Sequence, residues 1–279
     1  MNNTLLYALA IPLLSVSGGL AALNVFGNKQ VPVWLGRLAV ALGLLSSGYI
    51  LQDLLFQADG LHFGFVYGLM CVAWLAAFVA FVESFFNQVT LVEMLVFPLC
   101  AFVFALPGFL PEEGRMPLTG TFLFQLHLLI AVAAYSLLGI AAAHALVMAY
   151  QEKALHGSNL AVRDSHKFRE KLLDHLPPLM AMEATLFRQL WAGFALLSLT
   201  LLTGFVFAEQ WSGHVFRFDH KTLFSVLAWL SFATLLGGRM LFGWRGKVAL
   251  RWCLSSYGVL ILAYFGTQFV LEFILKRAV

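Results

Sequence analysis

Phe122-Leu-Phe-Gln-Leu-His127-Leu-Leu-Ile-Ala-Val-Ala-Ala-Tyr135-Ser-Leu-Leu-Gly-Ile-Ala-Ala-Ala-His144-Ala-Leu-Val-Met-Ala-Tyr150 is the stretch whose reading decides the fold. A bilayer core about 30 Å thick is crossed by roughly 20 apolar residues of helix. This run of about 29 residues therefore predicts a transmembrane helix that tilts or projects beyond the membrane. Seven more runs of spanning length surround it: Thr4–Val25, Val33–Leu55, His62–Phe86, Val89–Leu110, Thr185–Glu209, Thr222–Phe242 and Arg251–Leu275. Lipid offers backbone groups no hydrogen-bond partner, so a helix is the default spanning structure. The runs are continuous and lack the alternation of barrel strands. The expectation is an all-α polytopic bundle of about eight transmembrane helices. It forms a single integral-membrane domain over 1–279, with four spans in 1–120 and four in 121–279.

Composition agrees. The mean hydropathy is +0.86, and 11% of residues are charged. The longest polar stretch, roughly Gln151–Ala184, is too short for a separate core. Within it, Asp164-Ser165 caps an amphipathic piece with Phe168, Leu172, Leu173 and Leu176 on one face, ended by Pro177-Pro178. This predicts a short helix lying in the inner interface. The net charge of +3 is small, and nucleic acid is not expected as a partner. Placing both termini outside puts twelve of the seventeen Lys and Arg on the inner side, as the positive-inside rule asks. The first span lacks a basic leader and is read as an uncleaved anchor. Cys71, Cys100 and Cys253 lie in or beside separate spans, with no CxxC and no metal spacing, and are expected to pack.

Under this orientation four histidines fall on the outer face: His62, His127, His214 and His220. His144, His156, His166 and His175 fall at or near the inner one. His127 and His144 are seventeen residues apart on one helix, about 26 Å at 1.5 Å per residue, and cannot share a site. The last outer connection, Gln210-Trp211-Ser-Gly-His214-Val-Phe216-Arg217-Phe218-Asp219-His220-Lys221, joins aromatics, imidazoles and cations. That combination suits a porphyrin: imidazole for iron, flat apolar walls in Phe216 and Phe218, and cations for the carboxylates in Arg217, Lys221 or Arg115. Aromatics also gather at membrane interfaces without any ligand. Gly60, Gly64 and Gly68 predict a close helix seam beside His62. Glu93 is the one obvious charge inside a span and is read as an interfacial anchor, and Pro98 as a kink. No HExxH, paired-carboxylate site, Ser-His-Asp arrangement or phosphate loop is present, so no independent enzyme is expected. A small transporter has little support, because no broken-helix repeat is visible.

Several motifs occur in order from His127 to about Val270. Leu126-His127-Leu128 is followed by Ala134-Tyr135-Ser136-Leu137. Pro177-Pro178, Glu183 and the stretch Gly193 to Gly204 come next. Then follow Asp219-x-Lys221 with Trp229-Leu230, Gly243-Trp244-Arg245-Gly246, and Ala263-Tyr264-Phe265-Gly266. This order resembles the CcsA/HemX-type cytochrome c assembly proteins, and within them the short YpjD-like inner-membrane branch. The resemblance implies a protein of the bacterial inner membrane that binds or presents haem at the outer face for attachment to apocytochrome c, together with other assembly proteins. It implies His127 as an outer axial histidine. The cofactor-binding set becomes His127, Trp211, Phe216, Phe218, Asp219, His220 and Lys221. His127 and His220 are the candidate iron ligands, with His62 or His214 as alternates.

The chain also departs from that family. Phe216 and Phe218 stand where the family has tryptophans, with Trp211 slightly displaced. Gly237 stands at the position of an intramembrane histidine. Residues 272–279 carry none of the histidine that normally follows the final span. The alternative reading is a non-catalytic membrane scaffold or accessory subunit that kept the fold and lost the haem.

Overall fold

A computed structural model describes residues 3–26, 31–57, 60–61, 63–86, 90–110, 122–156, 177–212 and 220–266. Within them the chain is helical: α1 (Asn3–Phe26), α2 (Val33–Leu55), α3 (Phe65–Glu83), α4 (Thr90–Ala105), α5 (Phe122–His156), α6 (Leu179–Ser212), α7 (His220–Phe242) and α8 (Gly246–Ile261). A 3-10 turn, Leu106–Gly108, extends α4, and a π-turn, Leu262–Gly266, extends α8. All eight are long and apolar enough, with these extensions, to cross a membrane. The one pair of strands described is minimal: Phe56–Gln57 lies antiparallel to Gly60–Leu61.

α1 packs against α2 and α4, and α3 lies against α2, α4 and α5. α5 is the centre of the other half, contacting α6, α8, α3 and α4, while α7 packs on α6 and α8. Small residues set these distances. Ala141, Ala142, Ala143, His144 and Ala145 are all buried along α5, so neighbours approach it closely. A Cβ at Gly193 of α6 would stand 2.7 Å from the Leu138 side chain of α5. One at Gly18 of α1 would stand 2.5 Å from the Pro98 ring of α4. The seam expected around Gly60, Gly64 and Gly68 is seen at Gly68, which faces Phe63 and Tyr264. The three cysteines are buried and unbridged.

Two helix starts lie earlier than the hydrophobic runs indicate. α6 begins at Leu179 rather than Thr185, because Pro178 accepts the first backbone bonds from Ala181 and Met182 and Glu183, which interrupts the apolar run, is paired inside the bundle. α8 begins at Gly246 rather than Arg251, after a turn that needs left-handed backbone at Gly243 (φ 65) and Gly246 (φ 55). The expected interfacial helix after Asp164 and the end of the last span lie outside the described residues.

A histidine centre and a charged end

His127 lies near the start of α5, where the antiparallel α6 brings Thr203 alongside. His127 Nδ1 and Thr203 Oγ1 are 2.7 Å apart. The Thr203 hydroxyl already donates its single hydrogen to the Leu199 carbonyl at 2.8 Å, shared with Thr200 at 3.1 Å. With its hydrogen on its own helix the hydroxyl accepts from His127, the arrangement in which Nδ1 carries the ring hydrogen and Nε2 the lone pair. A hydrogen bond that fixes tautomer and ring orientation in this way is the usual support of a metal-ligating histidine. Gly204 leaves the next position on α6 bare, where a Cβ would lie 3.6 Å from His127 Cε1.

Other elements converge on the same end. The Phe124 ring stands 6.4 Å from that of His127. Lys221, in the first turn of α7, acts electrostatically on His127 and holds its ammonium 4.8 Å from the centre of the Tyr264 ring. Tyr264 belongs to the π-turn and packs against Phe63 at 6.3 Å and Tyr135 at 6.4 Å. Tyr135 is fixed in turn by donating to the Leu260 carbonyl at 3.0 Å. One imidazole, one cation and several aromatic faces thus meet where α3, α5, α6, α7 and the π-turn come together.

Of the residues expected at the site, His127 and Lys221 are brought together. Trp211 lies in the last turn of α6 and His220 opens α7. Both helix ends therefore belong to this end of the bundle, though their side chains lie outside the description. His62, His214, Phe216, Phe218 and Asp219 also lie outside the described residues. Thr203 was not anticipated, because a threonine in an apolar run carries no signal until its neighbour is known. Among the described residues no group of three or more His, Cys, Asp and Glu could hold a metal ion.

The opposite end holds ion pairs that the sequence alone did not reveal. Glu93 is not the only charge within the spans. Glu183 of α6 pairs with Arg239 of α7 and, at 3.1 Å, with Arg245. Arg239 also lies 4.4 Å over the Phe187 ring and donates to the Trp244 carbonyl at 3.3 Å. Trp244 then stacks between Phe242 at 6.3 Å and Trp252 at 5.7 Å. The Gly-Trp-Arg-Gly motif is thus a tight turn locked to α6 by a carboxylate.

An eight-span bundle with a supported histidine at one end and a charged lock at the other has the architecture of a polytopic membrane protein. The chain belongs to the family described as Cytochrome C assembly protein, which matches residues 35–275. That match reaches well into the first four spans, where no motif was legible. The inner membrane protein YpjD of Escherichia coli (strain K12) is 30% identical over 190 residues, 67% of either chain. The cytochrome c biogenesis protein CcsA of Prochlorococcus marinus (strain MIT 9515) is 31% identical over 84 residues, 30% of this chain and 27% of that one. An Azospirillum brasilense protein described as an uncharacterized 28.8 kDa protein in the nifR3-like 5'region is 35% identical over 151 residues, 54% and 52% of the two chains. Family membership supports a role in cytochrome c biogenesis.

Proposed function

We propose that this protein binds haem at the His127 end of the bundle and presents it during cytochrome c assembly, without catalysing a reaction by itself. The observation that carries the reading is the His127–Thr203 pair, which leaves Nε2 as the lone-pair nitrogen beside a cation and aromatic rings. The donor set fits a haem held through one described axial histidine. His127 would ligate iron, Lys221 would meet a propionate, and His220 is the candidate for the other axial position. Bound haem would supply the porphyrin that becomes attached to apocytochrome c. This chain's part is to orient the imidazole and to supply an apolar wall.

The bias of basic residues supports an orientation with the His127 end outside and the Glu183 end in the cytoplasm of a bacterial inner membrane. Purified protein in mild detergent should develop a Soret band on adding hemin, and His127→Ala with His220→Ala should abolish it. A band indifferent to both substitutions would sink the proposal.

A second reading, an accessory scaffold without haem, draws on Gly237. Gly237 stands where the resemblance expects an intramembrane histidine, so this position offers no iron ligand, and a Cβ there would meet nothing within 4 Å. A deletion strain separates the two: normal haem staining of c-type cytochromes favours the scaffold, and lost staining favours the haem reading.

A further inference from the structure

His144 of α5 lies at the end opposite His127, with its side chain 1% exposed. Its Nδ1 is 3.0 Å from the Ile140 carbonyl, which can only accept, so Nδ1 bears a hydrogen. Nε2 then points toward Oε2 of Glu83 on α3 at 3.7 Å, beyond direct hydrogen-bond distance, and has no other hydrogen-bond partner. The other oxygen of Glu83 accepts from Gln189 Nε2 of α6 at 2.5 Å, and the buried Gln189 Oε1 has no partner either. With a neutral imidazole and an ionised Glu83, the lone pairs of His144 Nε2 and Glu83 Oε2, on two helices, would face one another with no hydrogen between them. An uncompensated carboxylate inside a bundle is costly. Of the charged groups on the described helices packed against α5, the one acting on His144 is Glu83. Glu183 on α6 is already paired with Arg239 and Arg245, and Arg37 of α2, packed against α3, donates to the Ser84 carbonyl at 2.7 Å and lies 4.5 Å over the Phe85 ring.

We propose that Glu83, His144 and Gln189 form a proton-binding site within the membrane span. The pair carries one proton, on His144 Nε2 or on the Glu83 carboxylate, while Gln189 fixes the carboxylate. A single positive charge balances Glu83. A divalent metal ion would leave net charge in the same place, and no third His, Cys, Asp or Glu among the described residues completes a metal set. Glu83 ends α3 and its side chain is 15% exposed, against 1% for His144. The proton therefore enters and leaves through Glu83, at the end bearing the α3–α4 connection. In each exchange an O–H or N–H bond at the pair is broken or formed, and the proton passes to or from water at that face.

The test uses the full chain in lipid nanodiscs, with 15N-histidine and isoleucine labelled with 13C at its carbonyl. The coupling of His144 Nδ1 to the Ile140 carbonyl assigns the ring without any substitution. At neutral pH the expected result is Nδ1 bearing hydrogen plus one further proton on the pair. That proton appears either as an Nε2–H beside an ionised Glu83 or as a carboxylic-acid infrared band beside a bare Nε2. Glu83→Gln should remove it, leaving Nε2 bare and no acid band. A bare Nε2 together with an ionised Glu83 in the unsubstituted protein overturns the proposal. So does an Nε2–H that persists in Glu83→Gln, and so does displacement of the pair's proton by one equivalent of Zn2+.

Discussion

A single hydroxyl decides how His127 can be used. The Thr203 hydroxyl can give its hydrogen to the Leu199 carbonyl and accept from His127 Nδ1, which leaves Nε2 as the basic nitrogen. Thr203→Val keeps the shape and removes the acceptor. On the haem reading, hemin affinity should fall about 10- to 100-fold, the usual cost of losing such a supporting bond. Titration of the Soret band measures it, and the melting temperature should hardly change. Glu183 makes the matching point for stability. It is buried between a half-buried Arg239 and an exposed Arg245. Glu183→Ala strands Arg239 and should cost roughly 3 kcal/mol. Arg245→Ala removes a solvent-screened partner and should cost under about 1 kcal/mol. Thermal unfolding in detergent compares the two, and equal losses would refute this division.

At the scale of elements, glycines show which helix faces are in contact. Gly237 and Gly238 are neighbours on α7, but a Cβ at Gly238 would come within 2.3 Å of the rigid Trp244 ring, while one at Gly237 meets nothing within 4 Å. Gly238→Ala should therefore destabilise by about 1–3 kcal/mol through overpacking. Gly237→Ala should be neutral or slightly stabilising, by up to about 1 kcal/mol, because alanine favours helix. Gly18→Ala should resemble Gly238→Ala, since the Pro98 ring on α4 cannot swing aside. Melting temperatures of the three variants rank them, and a loss at Gly237 equal to that at Gly238 would contradict this packing. The same logic explains the Gly-Trp-Arg-Gly turn. Its order was legible, but its purpose, two left-handed glycines holding Trp244 over Gly238, depends on a contact between turn and helix.

Across the whole molecule, the two ends differ in chemistry: His127 with the Lys221 ammonium at one, and Glu183 paired with two guanidinium groups at the other. On the positive-inside expectation the second end faces the cytoplasm. Ser212→Cys and Ser158→Cys, each in a background lacking Cys71, Cys100 and Cys253, test that assignment. A membrane-impermeant maleimide should label the first in intact cells and the second only after permeabilisation. The reverse pattern would put the proposed haem station on the cytosolic side and remove the case for it.

The sequence by itself determined the eight spans, the all-helical class and His127 as a candidate. Bilayer thickness acts on chain composition one residue after another, so apolar length alone announces a span. The ordered motifs located the second half in the same way. Where α6 and α8 begin, which hydroxyl fixes His127, and how Glu83 and Glu183 are accommodated were decided only by tertiary structure. Each depends on which side chain a neighbouring helix places opposite, often more than sixty positions away. An acidic residue at the edge of an apolar run reads as the end of a span until its partner, close in space and distant in sequence, shows that the charge is balanced inside the bundle.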